Sequence, residues 1–340
     1  MTPSVPTPRG RVTITDVART AGVSVATVSK VINGRYGVAA ATHERVMKVV
    51  NDLGYSSSLI AASMRRQRTH VIGVLVAEFE PFALEFLHGV SQGLQGTPYD
   101  VLAFAGAVSA GSHEGWETRS LANLGGTLID GAIVVTPSVV LPELDMPIVS
   151  IDPHTGTPEG AVVDIDNRRG GFSATEHLLS LGHTRIGHLS GRNDLESSRL
   201  RAAGYRDALT RAGIAVDEDL IVEGGYSHAE SAQAAVRLFD MPHPPSAIFA
   251  ANDISAKEVL AVAHARGIRV PEDLSVVGFD DIPSAIATDP PLTTVRQPLT
   301  DMGRAAVDLL LRMIDDDAPA EHVRMPSELV IRDSTAPSPS

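Results

Sequence analysis

From residue 71 onward, short runs of apolar residues alternate with stretches in which apolar residues recur every three or four positions. Each short run fits a strand buried on both faces, and each periodic stretch fits an amphipathic helix. The strand-like runs lie at 71–77, 99–106, 131–137, 147–152, 161–166, 184–191, 219–224, 247–253, 275–281, 293–298 and 327–333. The helical stretches lie near 82–95, 113–128, 168–181, 198–212, 228–239, 254–266 and 299–315.

About a dozen strand-like runs are more than one compact open sheet usually holds. The pattern therefore predicts an α/β body with two doubly wound parallel sheets side by side. Ligands bind such sheets at the carboxyl ends of the strands, and polar residues stand there in this chain. For Asp253 and Asp281, the alternative to ligand binding is that the side chain caps a helix. The polar residues at strand ends are Asp152, Asn252, Asp253, Asp280 and Asp281.

Before residue 56 the pattern is that of short helices. Thr13 and Asp16 have the spacing of a capping box, Gly22 fits a tight turn, and Ser24 fits the cap of a second helix. Two short helices joined by a glycine turn are typical of a helix-turn-helix, whose second helix enters the DNA major groove. An ordinary hairpin in a three-helix bundle fits the same pattern. The inward-facing positions of the second helix are Val28, Val31 and Ile32.

The distribution of charge favours the DNA-binding interpretation. The formal net charge of the 340 residues is −13, which by itself argues against a nucleic-acid partner. Residues 1–70, however, hold ten Lys and Arg residues and three acidic residues, so their charge is +7 and that of the remaining 270 residues is −20. A small basic module joined to a large acidic body is typical of a tethered reader of polyanions. The alternative is a basic arm that only faces solvent.

The composition excludes several classes of protein. Because the chain has no cysteine, it has no disulfide scaffold, thiolate metal site or cysteine nucleophile. His177, His183 and His188 fall on a helix, a loop and a strand, so we expect no metal, and we expect no cofactor. No apolar run reaches the roughly 18 residues that a membrane span needs, and residues 1–11 lack the apolar core of a secretory signal. We therefore expect a cytoplasmic protein without a membrane partner.

The sequence TITDVARTAGVSVATVSKVING (13–34) resembles the signature of the LacI/GalR family of bacterial repressors. The resemblance continues through ERVMKVVNDLGY (44–55) and along the body to about residue 333. It implies a helix-turn-helix head joined to a sensor with the type I periplasmic sugar-binding fold. The matching segments of the body are HLLSLGHTRIGHLSG (177–191), AIFAAND (247–253), SVVGFDD (275–281) and PPLTTVRQP (290–298).

The resemblance also implies which residues contact DNA. Val25, Ala26 and Lys30 occupy the base-reading positions, and Lys30 can donate to guanine where the family more often has the two-pronged Arg. Met64 replaces the Leu that the family inserts into the minor groove from its hinge helix, and Met can also act as a wedge. A homodimer would read a near-palindromic operator. The implied DNA-binding residues are Thr13, Thr15, Ser24, Val25, Ala26, Thr27, Ser29, Lys30, Asn33 and Met64.

For the body, the resemblance implies an effector site between two subdomains that takes a monosaccharide or an oligosaccharide. Glu80 stands where sugar binders commonly have Asn, so the class of sugar stays open. Glu78 and Trp116 offer further contacts for a longer oligosaccharide. The implied effector-binding residues are Glu80, Phe82, Asp152, Arg201, Tyr226, Asn252, Asp280 and Gln297.

The predicted organisation begins with a disordered arm and ends with a disordered tail. Between them lie a DNA-binding head, a hinge helix with its linker, and the effector-binding and dimerisation domain. The predicted segments are 1–11 (arm), 12–57 (head), 58–70 (hinge and linker), 71–333 (body) and 334–340 (tail). Within the body, the N-subdomain is predicted at about 71–164 and 293–324, and the C-subdomain at about 165–292 and 325–333.

These observations predict a repressor whose operator binding is gated by a sugar or a sugar-like effector. Whether the effector induces or corepresses stays open. The alternative function is a cytoplasmic carbohydrate-binding protein without regulatory activity on DNA. An enzyme on a doubly wound fold is a third hypothesis, but we assign no catalytic residue, because the adjacent carboxylates Asp280 and Asp281 point apart on a strand end.

Overall fold

The computed structural model describes residues 12–32, 37–53, 68–106, 115–125, 128–155 and 160–339. The chain divides into two compact units, Met1–Thr69 and His70–Ser340. The arm predicted at 1–11, most of the hinge segment predicted at 58–70, and the predicted DNA contacts Asn33 and Met64 lie outside the described residues. Among the described helices, none combines the length and the apolar character of a membrane span.

The first unit contains three described helices around one small apolar core. Val17, Val28, Val31 and Val46 are at most 3% exposed and form the centre of this core. The helices therefore stabilise one another through valine side chains that each contributes from one face. The helices are α1 (Ile14–Ala21), α2 (Val25–Ile32) and α3 (Ala40–Leu53).

The second unit contains two parallel sheets whose strands alternate with helices. In chain order its elements are β1 (Val71–Val76), α4 (Pro81–Gly93), β2 (Asp100–Ala105), α5 (Trp116–Leu124), β3 (Gly131–Val135), β4 (Ile148–Ile151), β5 (Ala161–Ile165), α6 (Asn167–Ser180), β6 (Ile186–Ser190), α7 (Glu196–Arg211), a 3₁₀ turn (Glu218–Leu220), β7 (Ile221–Glu223), α8 (His228–Phe239), β8 (Ala247–Ala250), α9 (Asp253–Ala265), β9 (Ser275–Asp280), β10 (Thr293–Arg296), α10 (Leu299–Asp315), β11 (His322–Met325) and β12 (Glu328–Val330).

The two sheets define two lobes. The first lobe has the strand order β11-β5-β4-β3-β1-β2, with every pair parallel. The second lobe has the order β12-β10-β9-β8-β6-β7, and only the pairing of β10 with β12 is antiparallel among these strands. β1, β3, β5, β6, β8 and β9 are buried along their whole length, as expected for strands covered by helices on both faces.

The chain crosses between the lobes three times. It leaves the first sheet after β5, returns to the first lobe between β10 and α10, and crosses again between β11 and β12. α10 packs against α4, where the Cα of Gly89 faces the backbone carbonyl of Thr300 so closely that a Cβ would overlap it. Three short segments of the chain therefore connect the two lobes. Such a connection is expected where two lobes can move relative to each other about a hinge.

One predicted boundary in the body is wrong, and one strand was not predicted. The N-subdomain was predicted to resume at 293, but β10 pairs with β9 in the second sheet, so the crossing follows residue 296. The strand β11 was not predicted, because its charged sequence HVRM alternates between exposed and half-buried positions at a sheet edge. It pairs with β5 in the first lobe.

The prediction of a disordered tail at 334–340 is also wrong for residues 334–339. Ser334 is fully buried, and its hydroxyl donates to the carbonyl of Val276 at 2.6 Å while it accepts from the amide of Thr293 at 2.8 Å. The amide of Ser338 donates to the carbonyl of Leu181 at 2.8 Å. Small polar residues suggest disorder by composition, but here their hydroxyl groups satisfy backbone groups of the second lobe.

Candidate functional site

The first unit presents an exposed helix face at its N-terminal hairpin. The Thr13 hydroxyl accepts from the amide of Asp16, whose carboxylate accepts from the amide of Thr13, so the predicted capping box is present. Gly22 ends α1 with φ at +65°, a left-handed conformation that glycine adopts without strain. The Ser24 hydroxyl accepts from the amide of Thr27 at 3.1 Å and fixes the start of α2.

The predicted base-reading side chains point away from the core of the first unit. Val25 is 42% exposed, and Ala26 and Lys30 are exposed as well, whereas Val28 and Val31 are buried. α2 therefore offers two small apolar groups and one ammonium group on its solvent face, a combination that can meet a thymine methyl and a guanine edge. Of the other predicted contacts, Thr13, Thr15 and Ser24 are exposed, and Thr27 and Ser29 are half-buried.

The second unit contains a cavity of about 710 Å³ between its two lobes. Seven of the eight predicted effector-binding residues line it, and so do Glu78 and Trp116. Its volume lies within the range of small-molecule sites. Both lobes contribute, so a molecule held there contacts both at once. The seven residues are Glu80, Phe82, Asp152, Arg201, Tyr226, Asn252 and Asp280.

Arg201 on α7 lies between the two buried carboxylates of the cavity. Its Nε donates to Asn167 Oδ1 at 2.8 Å, and Asn167 Nδ2 donates to Asp152 Oδ1 at 2.9 Å. Its Nη1 lies 3.5 Å from Asp280 Oδ1 and donates to the carbonyl of Ala251 at 2.6 Å. These contacts hold one guanidinium between an acid from each lobe, which reduces the free-energy penalty of burying all three charges.

Three residues of the cavity have a backbone conformation that side chains rarely adopt. The φ angles are +43° at Asp152, +64° at Tyr226 and +106° at Asp280. Each residue follows or ends a strand, so each is held by the rigid sheet beside it. Such strain persists where the surrounding structure enforces it, and it is concentrated at binding sites.

Burial changes the protonation of the two carboxylates. It raises the pKa of Asp280 to about 7, although Arg201 and a hydrogen bond from Gln297 act in the opposite direction. Burial also raises the pKa of Asp152, opposed by Arg201 and by the hydrogen bond from Asn167. At the outer part of the cavity, partial burial and the neighbouring Glu78 raise the pKa of Glu80.

Gln297 does not line the cavity, although we predicted that it binds the effector. It lies on the crossing between β10 and α10, is 3% exposed, and its Nε2 donates to Asp280 Oδ1 at 2.7 Å. Gln297 therefore positions a cavity residue from behind.

The alternative roles of Asp253 and Asp281 as helix caps are wrong. The cap of α9 is Asn252, whose side-chain oxygen accepts from the amide of Ser255 at 2.8 Å. Asp253 accepts from the Thr294 hydroxyl at 2.6 Å and from the amide of Ile282 at 2.9 Å. Asp281 accepts from Arg296 at 2.7 Å and from Arg332 at 2.6 Å. Both carboxylates crosslink the second lobe.

Several cavity residues were not predicted. His154 follows β4, two residues after Asp152. Arg192 lies between β6 and α7, and Ser197 lies in the first turn of α7. The signal that could have found His154 and Arg192 is their position just after a strand, since both follow carboxyl ends. The same signal applies to Ser138, which lies three residues after the end of β3.

The three histidines considered above have structural partners. His183 lies within 3.0 Å of the hydroxyl groups of Ser246 and Ser275. His188 is sandwiched between the rings of Tyr205 and Phe249, and burial lowers its pKa to about 4. The His177 ring lies 3.0 Å from the hydroxyl of Thr335. Within the described part of the chain, no group of three His, Asp or Glu side chains is arranged to hold a metal ion.

Comparison with known proteins identifies related sequences over nearly the whole chain. The profile of bacterial regulatory proteins of the lacI family matches residues 13–58, and that of the periplasmic binding protein-like domain matches residues 175–335. The HTH-type transcriptional repressor PurR of Photobacterium profundum is 34% identical over 334 residues, which are 95% of this chain and 98% of PurR.

Two solved structures are similar in fold as well as in sequence. The complex of the transcriptional regulator CelR with cellobiose is 34% identical, with a TM-score of 0.72, and the match covers 95% of this chain and all of that one. The lac repressor dimer bound to operator and the anti-inducer ONPF is 28% identical, with a TM-score of 0.80, and the match covers 96% of this chain and all of that one.

Proposed function

The chain belongs to the LacI family of bacterial transcriptional regulators, and from this premise we propose that it is a repressor whose operator binding responds to a carbohydrate. The repressor acts as a homodimer on a near-palindromic site. One observation carries the effector half of the proposal: Arg201 is held between Asp152 and Asp280 inside a cavity lined by both lobes.

The polar groups of the cavity match the chemistry of a polyol. The carboxyl oxygens of Asp152 and Asp280 can accept hydrogen bonds from hydroxyl groups, while the amide nitrogen of Asn252 is not used in the capping bond and can donate. The aromatic rings of Phe82 and Tyr226 also line the cavity and can cover the apolar face of a sugar ring. The similar CelR binds cellobiose, which makes a disaccharide the first effector to test.

The DNA-binding half of the proposal is supported by α2. Its exposed Val25, Ala26 and Lys30 offer the groups that read base edges, and the formal charge of +7 on residues 1–70 attracts the phosphate backbone. One helix reads only a few base pairs, so specific binding requires two heads on two half-sites.

The two halves are coupled by a population shift. An effector that contacts both lobes stabilises one arrangement of the lobes over another. It can change the affinity for operator DNA only as much as the effector's own affinity differs between the two arrangements. The coupling is reciprocal. If the sugar is an inducer, operator DNA weakens sugar binding by the same factor by which the sugar weakens operator binding.

Selection of binding sites from random duplexes tests the DNA-binding half. The full-length protein is expected to enrich a near-palindromic sequence and to bind it at physiological salt at least about a thousandfold more tightly than random DNA. Deletion of residues 1–70 should abolish this binding while carbohydrate binding persists. A protein that binds carbohydrate but enriches no duplex would instead be a carbohydrate-binding protein without regulatory activity on DNA.

Thermal unfolding in the presence of glucose, ribose, cellobiose and longer glucans tests the effector half. A ligand that binds only the native state raises the unfolding temperature in a concentration-dependent manner, so at least one sugar should do so. The matched control is the same panel with Asp280→Ala, which should show no shift. If no carbohydrate stabilises the wild-type protein, the effector belongs to another class.

A further inference from the structure

The two lobes do not supply the same hydrogen-bonding groups to the cavity. The second lobe contributes the nitrogen donors Arg201 and Asn252, whereas the polar side chains of the first lobe include the acids Glu78, Glu80 and Asp152. The Ser138 hydroxyl, also on the first lobe, already donates to the buried carboxylate of Glu117 at 2.9 Å. An acceptor oxygen of the effector on this side therefore needs a donor from another first-lobe residue, and the lining residues that can supply one are Thr136, Trp116 and His154.

His154 lies where such a donor is needed. Its backbone amide donates to the carbonyl of Pro137 at 3.0 Å, which joins the loops that follow β3 and β4. Its side chain lines the cavity, yet its Nδ1 is buried from solvent and meets no hydrogen-bond partner among the described residues. A buried nitrogen without a partner favours the tautomer in which it carries no proton, because orphaned N–H groups are rarer than under-satisfied acceptors.

We propose that His154 is a specificity-determining residue of the effector site, which presents Nε2–H from the first lobe as a neutral donor to an acceptor oxygen of a carbohydrate. This inference rests on the proposed function. The ring selects ligands with a ring, glycosidic or hydroxyl oxygen at that position. Since Arg201 and Asn252 bind the effector from the second lobe, the bond to His154 contributes to closing one lobe on the other.

The surroundings keep the His154 ring neutral. Burial is the main cause that lowers the pKa of His154 to about 3; the positive charges of Arg201, Arg192 and Arg199 act in the same direction, and Asp194 acts against them. The contribution of the ring to binding is therefore the same from pH 8 down to pH 5, unlike that of an exposed histidine, which gains a proton in this range.

Three substitutions test the donor with cellobiose as the probe, by titration calorimetry on the full-length protein. His154→Gln places an amide N–H near the position of Nε2 and should keep the affinity within about threefold. His154→Leu should weaken it at least tenfold at both pH 8 and pH 5, with unfolding temperature and operator binding unchanged. The matched control His264→Leu, on the exposed end of α9, should change nothing. Equal loss in the Gln and Leu variants would overturn the proposal.

Nitrogen-15 NMR of the unliganded protein tests the tautomer independently of any sugar. The Nε2–H tautomer is expected at His154, with no titration between pH 8 and pH 5. A proton on Nδ1, or a titration within this range, would overturn the proposal. If the NMR result is as expected but the wild-type protein binds no carbohydrate, the proposed effector class has failed and the assignment of His154 as a neutral donor stands.

Discussion

Some side chains of the cavity have features that lower the stability of the fold but suit a binding site. Asp280 ends β9 with φ at +106°, is 4% exposed, and lies 3.5 Å from the Arg201 guanidinium, which Asn167 links to Asp152. A residue chosen only for stability would carry neither the strain nor the buried charge. We therefore expect substitutions here to weaken effector binding more than they destabilise the fold.

Replacement of Asp280 by Asn should stabilise the unliganded protein at neutral and higher pH. Because burial raises the pKa of Asp280 to about 7, the folded protein holds a proton between that value and the ordinary carboxyl pKa, whereas the unfolded chain has released it. The stability of the wild type consequently falls as the pH rises through this interval, by up to about 1.4 kcal/mol per pH unit. Asp280→Asn should lack the part of this slope that Asp280 contributes, while the part due to the raised pKa values of Asp152 and Glu80 remains.

Urea unfolding at pH 5 and pH 8 measures this difference, and a thermal shift with sugar measures the loss of effector binding in the same variant. Asp281→Asn is the control, since Asp281 is held by Arg296 and Arg332 outside the cavity. Equal pH slopes in the wild type and in Asp280→Asn would contradict the prediction, as would a normal response of Asp280→Asn to sugar.

Lys30→Ala should weaken binding to the selected operator by about 1–3 kcal/mol and relax the preference at one base pair of each half-site. The reason is that Lys30 is the charged residue among the three proposed base-reading positions of α2, and the exposed Val25 and Ala26 can offer only apolar groups. Fluorescence anisotropy on the operator and on variants of that base pair measures both effects. Lys48→Ala, an exposed lysine of α3, should leave the base preference unchanged.

At the scale of elements, the C-terminal segment (residues 334–339) packs against the second lobe and forms hydrogen bonds with it. It runs beside β9, where the amide of Val276 donates to the carbonyl of Ser334 at 2.8 Å and the amide of Ala336 donates to the Ser275 hydroxyl at 3.0 Å. The Nε2 of His183 lies 3.0 Å from the carbonyl oxygen of Ala336. The segment thus satisfies backbone and side-chain polar groups of the buried strands β9 and β10.

Deletion of residues 334–340 should therefore destabilise the second unit by about 2–4 kcal/mol, because buried backbone groups of β9 and β10 lose their partners. Urea unfolding followed by circular dichroism measures the change. Deletion of residues 339–340 alone is the control and should have little effect. A truncation after residue 333 with full stability would show that these hydrogen bonds exchange with water at no free-energy cost.

At the scale of the whole molecule, the proposed dimer requires an apolar surface on the body. Leu84 on α4 is 48% exposed and Val101 on the edge strand β2 is 44% exposed. The two residues belong to consecutive elements of the first lobe, and β2 has a free edge among the described strands. Exposed apolar residues beside an unpaired edge favour self-association.

Leu84→Lys should shift the protein from dimer to monomer, since a lysine at the contact introduces two uncompensated charges per interface. Sedimentation velocity measures the shift, and operator affinity should fall with it because a monomer reads one half-site. Val140→Lys, another exposed apolar position at 71%, is the control. If Leu84→Lys remains dimeric with full operator affinity, the dimer forms through another surface.

Much of the fold could be predicted from the sequence, because the determining signals are local. Periodicity located all the helices described in the body to within a few residues, and caps and glycines marked the hairpin of the head. The charged edge strand β11 was missed for the opposite reason. Its pattern becomes that of a strand only when β5 lies beside it.

The sequence by itself determined the two-lobed α/β architecture and the helical hairpin of the head, because apolar periodicity and turn signals are properties of neighbouring residues. Its resemblance to a known family, rather than any periodicity, indicated the seven predicted residues that line the cavity. Only the tertiary structure decided that Gln297 supports Asp280 from behind, that the C-terminal segment is buried, and that His154 joins the cavity wall. These outcomes depend on contacts between residues 17 to 153 positions apart, and such contacts leave no periodic trace along the chain.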